Sequence, residues 1–258
     1  MHIDEVTRQV EEIANPALQA SWDKSGLQVA ATREEISAIG IFLDPLPGQI
    51  GRALAAGCDF LLSHHPLSLK PGLPNHRDNY FFALQKLLRA NVPLYAAHTS
   101  LDVNLAGPAG WLGRELGLRD TRPLEAEGPP GFGYGEVGDL CEAMPFGLVI
   151  DRILKLARID CASLAGPEPA KLCRRIAWCG GSGGSLARAA AASGADLYVT
   201  GDIKYHDALD AALPVLDVGH HSLEEEMMRR LALALSQKMP ALNINFFKSA
   251  SPFRRACQ

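Results

Sequence analysis

Phe60-Leu61-Leu62-Ser63-His64-His65-Pro66 decides how the rest of the chain is read. A short apolar run that ends in two adjacent imidazoles reads as a buried strand delivering donors to its C-terminal edge. Neighbouring side chains on an extended backbone point to opposite sides, so each histidine can serve a different ion. Taken alone, the pair fits a packed ring beside a solvated one equally well. Its company elsewhere in the chain has to decide.

Working outward, Ile36 to Leu43 is β-rich and ends at Asp44-Pro45, and a helix is expected from about Pro47 to Ala56, with Gly57 closing it. Further back, Ile3 to Ile13 has helical spacing stopped by Asn15-Pro16, and Trp22 to Val29 is a polar turn running into a strand. On the other side, Asn79 to Ala90 has an aromatic, leucine-rich helical face. Pro93 to Ala97 is a short strand ending at His98, and Trp111 to Leu116 belongs to a short helix. Strands alternating with helices predict an α/β unit with a largely parallel sheet. Functional groups in such sheets gather beyond the carboxyl ends of the strands, where His64, His65 and His98 all fall.

Arg119 to Gly131 is rich in Pro, Gly and Glu and reads as a domain boundary. A second α/β pattern follows. Strands are expected near Phe132–Val137, Ile159–Ser163, Arg175–Cys179, Asp196–Thr200 and Val215–Val218, with a closing strand at Leu242–Phe247. Helices are expected near Phe146–Leu156, Leu186–Ser193, Tyr205–Ala212 and Ser222–Gln237. Gly57-Cys58-Asp59-Phe60-Leu61-Leu62-Ser63 and Gly194-Ala195-Asp196-Leu197-Tyr198-Val199-Thr200 share one layout, a hint of two related halves.

The 258 residues are 47% hydrophobic and 21% charged, a globular composition able to bury a sizeable core. A net charge of −4 without a basic stripe makes nucleic acid an unneeded partner. The six cysteines show no CxxC spacing. The N-terminus lacks a charged n-region followed by an apolar core, and no apolar run approaches the roughly 20 residues that span a bilayer. A cytoplasmic protein without a membrane partner is expected.

Two further elements match the histidine pair chemically. His98-Thr99-Ser100-Leu101-Asp102 and His220-His221-Ser222-Leu223-Glu224 each place an imidazole and a carboxylate four residues apart just past a strand. That spacing puts both groups on one helical face. Together His64, His65, His98, Asp102, His220 and Glu224 offer four imidazoles and two carboxylates. This is more than one ion uses and is suited to two divalent ions bridged by a carboxylate, with Glu224 the bridge. Mixed N/O ligation suits Zn, Fe, Mn or Ni over Ca or a soft thiolate site. Each element by itself also reads as a hydrogen-bonded histidine or a surface pair of small value. Gly180 to Ser185 between a strand and a helix fits a phosphate cradle, with Gly181 and Ser182 at its centre, or equally a tight turn. Lys204 and His206 stand in a polar cluster at another strand end. They suit binding of an anionic substrate and proton transfer, or simply a capped turn.

These stretches taken in order, with Trp22–Leu27 and Tyr198–Asp207 added, resemble the family named for NGG-one-interacting factor three, the dinuclear-metal-centre proteins also catalogued as type 2 GTP cyclohydrolase I homologues. The resemblance covers nearly the whole chain. It implies two interlocked, related α/β lobes with mostly parallel sheets and a metal site at strand C-terminal ends between them. On this chain the lobes would be residues 1–124 plus about 215–258, and 125–214. It also implies a toroidal homo-hexamer, in the short form without a middle domain. By the same resemblance His65 and Asp102 hold one ion, His64 and His220 the other, Glu224 bridges, and His98 joins the second site. His221 stands where the family has an aromatic residue, Lys24 where Asn is common, and Ala106-Gly107-Pro108-Ala109 replaces a Gly-Gly-x-Asn run. The implied activity is a metal-dependent hydrolase resembling GTP cyclohydrolase, with Glu224 or His206 moving protons and Lys204 and the glycine loop holding a nucleotide-like substrate. A two-metal phosphoesterase on nucleotides or oligonucleotides stays open beside it. So does a non-enzymatic metal-storage or adaptor ring with a protein partner.

Overall fold

The structure is a computed structural model and describes residues 1–253, so Cys257 lies outside the described residues. Helix α1 (Ile3–Glu11) opens the chain and a turn leads to the short strand β1 (Gly26–Val29). Strand β2 (Ala38–Phe42) is followed by α2 (Pro47–Ala55), in which Pro47 brings a φ already suited to a first helical residue. Gly57 at φ +80° turns the chain away from α2 into β3 (Phe60–Ser63). Helix α3 (Asn79–Ala90) starts where the Asp78 carboxylate accepts the Phe81 N–H at 3.0 Å and ends at left-handed Asn91. Strand β4 (Leu94–Ala96) leads through His98 into the single turn α4 (Thr99–Asp102).

Beyond it come α5 (Trp111–Leu116), β5 (Arg119–Ala126), β6 (Gly133–Pro145) and α6 (Phe146–Ala157). Strand β7 (Ser163–Ala165), β8 (Leu172–Ser182), α7 (Ala187–Ala192), β9 (Leu197–Gly201), α8 (Tyr205–Leu209) and β10 (Val215–Asp217) follow. The long helix α9 (His220–Lys238) and strand β11 (Asn243–Phe246) close the described chain.

Two compact units result: Met1–Leu101 with Met228–Gln258, and Asp102–Met227. The first holds a five-stranded sheet of order β1-β4-β3-β2-β11, parallel throughout except for β1. Its core is Phe42, Ile50, Ala53, Leu61, Leu87 and Leu94. Gly40 on β2 is needed there. A Cβ would stand 2.9 Å from Leu61 Cδ2 and 3.0 Å from the Ala53 methyl, so only glycine lets α2 seat on the sheet. The second unit holds a six-stranded sheet of order β5-β6-β8-β9-β10-β7. Here β8, β9 and β10 are parallel and the flanking pairings antiparallel, around a core of Val137, Ala177, Ala190, Tyr198 and Val215.

The start of the stretch read as a boundary, 119–131, is folded as a strand. Arg119–Ala126 is the edge strand β5, paired with β6 from Arg119 opposite Asp139 to Ala126 opposite Gly133. An exposed edge tolerates charge and a proline such as Pro123, and that composition reads like a linker. The units part instead at Leu101/Asp102 and Met227/Met228, inside α4 and α9, where no loop composition marks the crossing. Strand β8 runs on through Gly180-Gly181-Ser182, and β7 starts at Ser163, the last residue of the stretch expected to form it. Among the described residues no helix is long and apolar enough to cross a membrane.

Candidate metal site

In the first unit β2, β3 and β4 end side by side, and each of these ends delivers a polar group. β3 ends at Ser63 and passes directly into His64 and His65. β4 ends two residues before His98, and β2 ends two residues before Asp44. Strand β1 runs the other way, with Gly26 opposite Ala96, so the turn before it brings Asp23 to the same edge. The ring centroids of His64 and His65 are 4.9 Å apart, those of His64 and His98 5.1 Å, and those of His65 and His98 5.5 Å. One donor atom from each lies within 4.8 Å of the others, a group able to hold a metal ion.

How each of the three rings is held suits it to serve as a ligand. Nδ1 of buried His64 donates to the Ala97 carbonyl at 2.8 Å, and since a carbonyl only accepts, the lone pair of the neutral ring sits on Nε2. His65 Nδ1 donates to Asp44 Oδ1 at 2.7 Å, and His98 Nδ1 to Asp23 Oδ1 at 2.7 Å. Burial is the largest influence on Asp23 and opposes its charge. The hydrogen bonds from His98, Thr99 and Ser25 nevertheless hold its carboxyl well below the usual carboxylate range. Histidines whose Nδ1 is engaged by a carboxylate or carbonyl present Nε2 in one tautomer and one orientation, the arrangement found behind metal-bound imidazoles.

The second unit places a histidine and a carboxylate at a helix start. His220 and Glu224 lie one turn apart on α9, and His220 Nε2 meets Glu224 Oε2 at 2.8 Å. His220 Nδ1 donates to Asp202 Oδ2 at 2.8 Å, repeating the pattern of the first unit. Asp202 holds a left-handed backbone at φ 56°. Asp217 ties the two turns together by accepting from Ile203 N–H at 3.0 Å and Gly219 N–H at 2.9 Å. Trp111 Nε1 donates to the Leu223 carbonyl at 3.1 Å, fixing the same helical turn from outside. His221 faces Glu225 at 3.8 Å. Asp102, the last residue of α4, and Glu224 both lie near enough to Cys179 to act on its thiol. Desolvation, helped by these two carboxylates, pushes that thiol up to about 12.

The glycine run has a steric use. At Gly181 (φ +61°) a Cβ would stand 2.2 Å from Glu224 Oε1, and at Gly201 a Cβ would stand 2.4 Å from the His220 amide nitrogen. These glycines give the helix start its closest approach to the strand ends. Ser182 is exposed beside them, and Lys204 and His206 are exposed on the turn and first residues around α8. Sequence reasoning missed Asp23, Asp44 and Asp202 as supporting groups. The signal was an acidic residue at the end of a strand, or at the start of an antiparallel partner, adjacent to a histidine-bearing strand.

The Duf34/NIF3 (NGG1p interacting factor 3) family model matches residues 1–252. The chain is 30% identical over 239 residues to a protein of Lactococcus lactis named "GTP cyclohydrolase 1 type 2 homolog", covering 90% of each chain. It is 28% identical to "NIF3-like protein 1" of Drosophila melanogaster, over 80% of this chain and 70% of that one. Among solved structures, reduced HcgD from Methanocaldococcus jannaschii superposes with a TM-score of 0.83 at 28% identity, over 95% of this chain and 97% of that chain. A Bacillus cereus protein related to NIF3 superposes with a TM-score of 0.89 at 21% identity, over 99% of each, and speaks for the fold alone.

Proposed function

Because the chain belongs to the Duf34/NIF3 (NGG1p interacting factor 3) family, we propose that it is a metal-dependent hydrolase whose centre holds two divalent ions of Zn, Fe, Mn or Ni. His65 and Asp102 would hold one ion and His64 and His220 the other, with Glu224 shared between them and His98 joining the second. The single observation that carries this reading is the repeated support of four histidines, each with Nδ1 committed to a carbonyl or carboxylate. A chain with no metal to bind has little use for four imidazoles held in one tautomer.

Bound divalent ions supply Lewis acidity toward water and a substrate oxygen. The chain's own residues do the rest. Asp23, Asp44 and Asp202 orient the imidazoles, and Glu224 and His206 accept and return protons. Lys204, Ser182 and Gly181 hold the anionic end of a nucleotide-like substrate, whose class is suggested by relatives named as GTP cyclohydrolase homologues. The assembly is a homo-hexamer, tested by light scattering.

The experiment is to measure metal per chain on protein purified without added metal, then to assay the loaded protein on GTP for release of formate and a pterin. About two ions per chain and turnover above a metal-only control are expected. Turnover on phosphoesters alone would replace the substrate class. Ready exchange of metal with every hydrolytic assay flat would replace the hydrolase with a metal-delivery or adaptor ring.

A further inference from the structure

Trp22 stands apart from the other two tryptophans. Trp111 and Trp178 are 1% and 2% exposed, whereas Trp22 is 58% exposed. Nothing about its backbone is loose. Asp23 N–H donates to the Ala20 carbonyl at 2.9 Å, Ala20 N–H to Thr99 Oγ1 at 3.0 Å, and Ser25 N–H to Gln19 Oε1 at 2.8 Å. The buried Asp23 side chain gathers Ser25, Thr99 and His98 around it. The turn thus presents a large apolar ring to water from a backbone that cannot relax to hide it. Scattered exposed leucines need no explanation, but a rigidly presented indole does.

Among the described residues its ring meets that of His98, at 5.7 Å between centroids and 75° between planes. His98 is already oriented by Asp23, so the indole is not needed to hold the imidazole. Most of the ring remains open next to a candidate ligand, and the exposed Lys24 lies on the same turn. Indoles presented in this way bind flat aromatic rings by stacking, with little ordering cost because the platform is preformed.

We propose that Trp22 is a specificity-determining platform that stacks a planar heteroaromatic ring of the substrate, of the purine or pterin class, beside the His98 edge of the site. The inference rests on the hydrolase reading above and adds the part of the substrate that the metal ligands do not recognise. Trp22 is a binding residue in it and performs no chemical step.

The test uses the zinc-loaded full chain titrated with guanosine monophosphate, pterin and ribose 5-phosphate while tryptophan fluorescence is followed. The two ring compounds should quench the fluorescence, and ribose 5-phosphate should not. In Trp22→Leu the quenching should vanish and ring-compound affinity should fall about tenfold to a hundredfold. Trp22→Phe should keep most of the affinity, and zinc content should stay unchanged in both variants. Equal affinity of Trp22→Leu and the parent for guanosine monophosphate overturns the inference, as does equal binding of ribose 5-phosphate. Iodide that fails to quench Trp22 in the unliganded chain overturns it too, because the ring would already be covered by a second copy. Zinc retained with no ring compound bound defeats the platform and leaves the metal reading standing. Zinc absent defeats both.

Discussion

In the first unit the histidines leave the ends of parallel strands, and in the second His220 and Glu224 ride the opening turn of a 19-residue helix. The supports differ accordingly. The His98 partner Asp23 has a side chain 0% exposed, and that of the His220 partner Asp202 is 44% exposed. The sheet edge relies on a buried anion that gathers several donors. The helix start relies on glycines that let a carboxylate and an amide come close. The candidate donors are thus set by a buried carboxylate in one unit, and by an exposed carboxylate together with the absence of side chains in the other.

This contrast can be broken most severely at Asp23. Asp23→Ala leaves the donors of His98, Thr99 and Ser25 facing a void, and each buried donor left unsatisfied costs about 1–3 kcal/mol. Denaturant unfolding should show that loss, together with reduced zinc uptake. Gly181→Ala attacks the other kind of support. Its Cβ would collide with the Glu224 carboxylate at a left-handed φ, for a cost of about 2–3 kcal/mol. Titration calorimetry should then find Glu224-dependent metal binding lost with the histidine cluster of the first unit intact. Asp202→Asn sharpens the comparison, because an exposed partner should matter less. Metal affinity is expected to fall about tenfold with stability changed by under about 1 kcal/mol.

The smallest expected effect lies away from the ligands. Burial raises the carboxyl of Glu136 above its ordinary value, against the hydrogen bond it accepts from Trp178 Nε1 at 2.8 Å and against Thr121 and Arg114. A carboxyl raised in the folded state binds its proton more tightly there than in the unfolded chain. Stability is therefore lost as pH rises from the unfolded value through the folded one. Glu136→Gln keeps an acceptor for Trp178 and removes that slope. Its Tm should exceed the parent's at neutral pH and converge with it toward about pH 4, near the unfolded carboxyl's own value.

Much of this was legible in the residues. Helix α3 occupies Asn79–Ala90 as the spacing predicts, because Asp78 and Asn91 cap it locally. The strands that lead to His64, His65 and His98 were readable from apolar runs that parallel burial demands. Strand β5 was not, since an edge strand carries no burial signature and its charges and proline look like a linker. Asp23, Asp44 and Asp202 were hidden for another reason. Each meets its histidine across 75, 21 and 18 residues of chain, a pairing no local pattern encodes.

The sequence by itself determined the α/β alternation, the donor types and their places at strand ends, because propensity, periodicity and side-chain chemistry are local properties. Tertiary structure alone decided which acid orients which imidazole, why Gly181 must lack a Cβ, and that Trp22 stays exposed while Trp111 and Trp178 are buried. Those outcomes follow from contacts between segments far apart in the chain, whose energies exist only once the sheet has set their register.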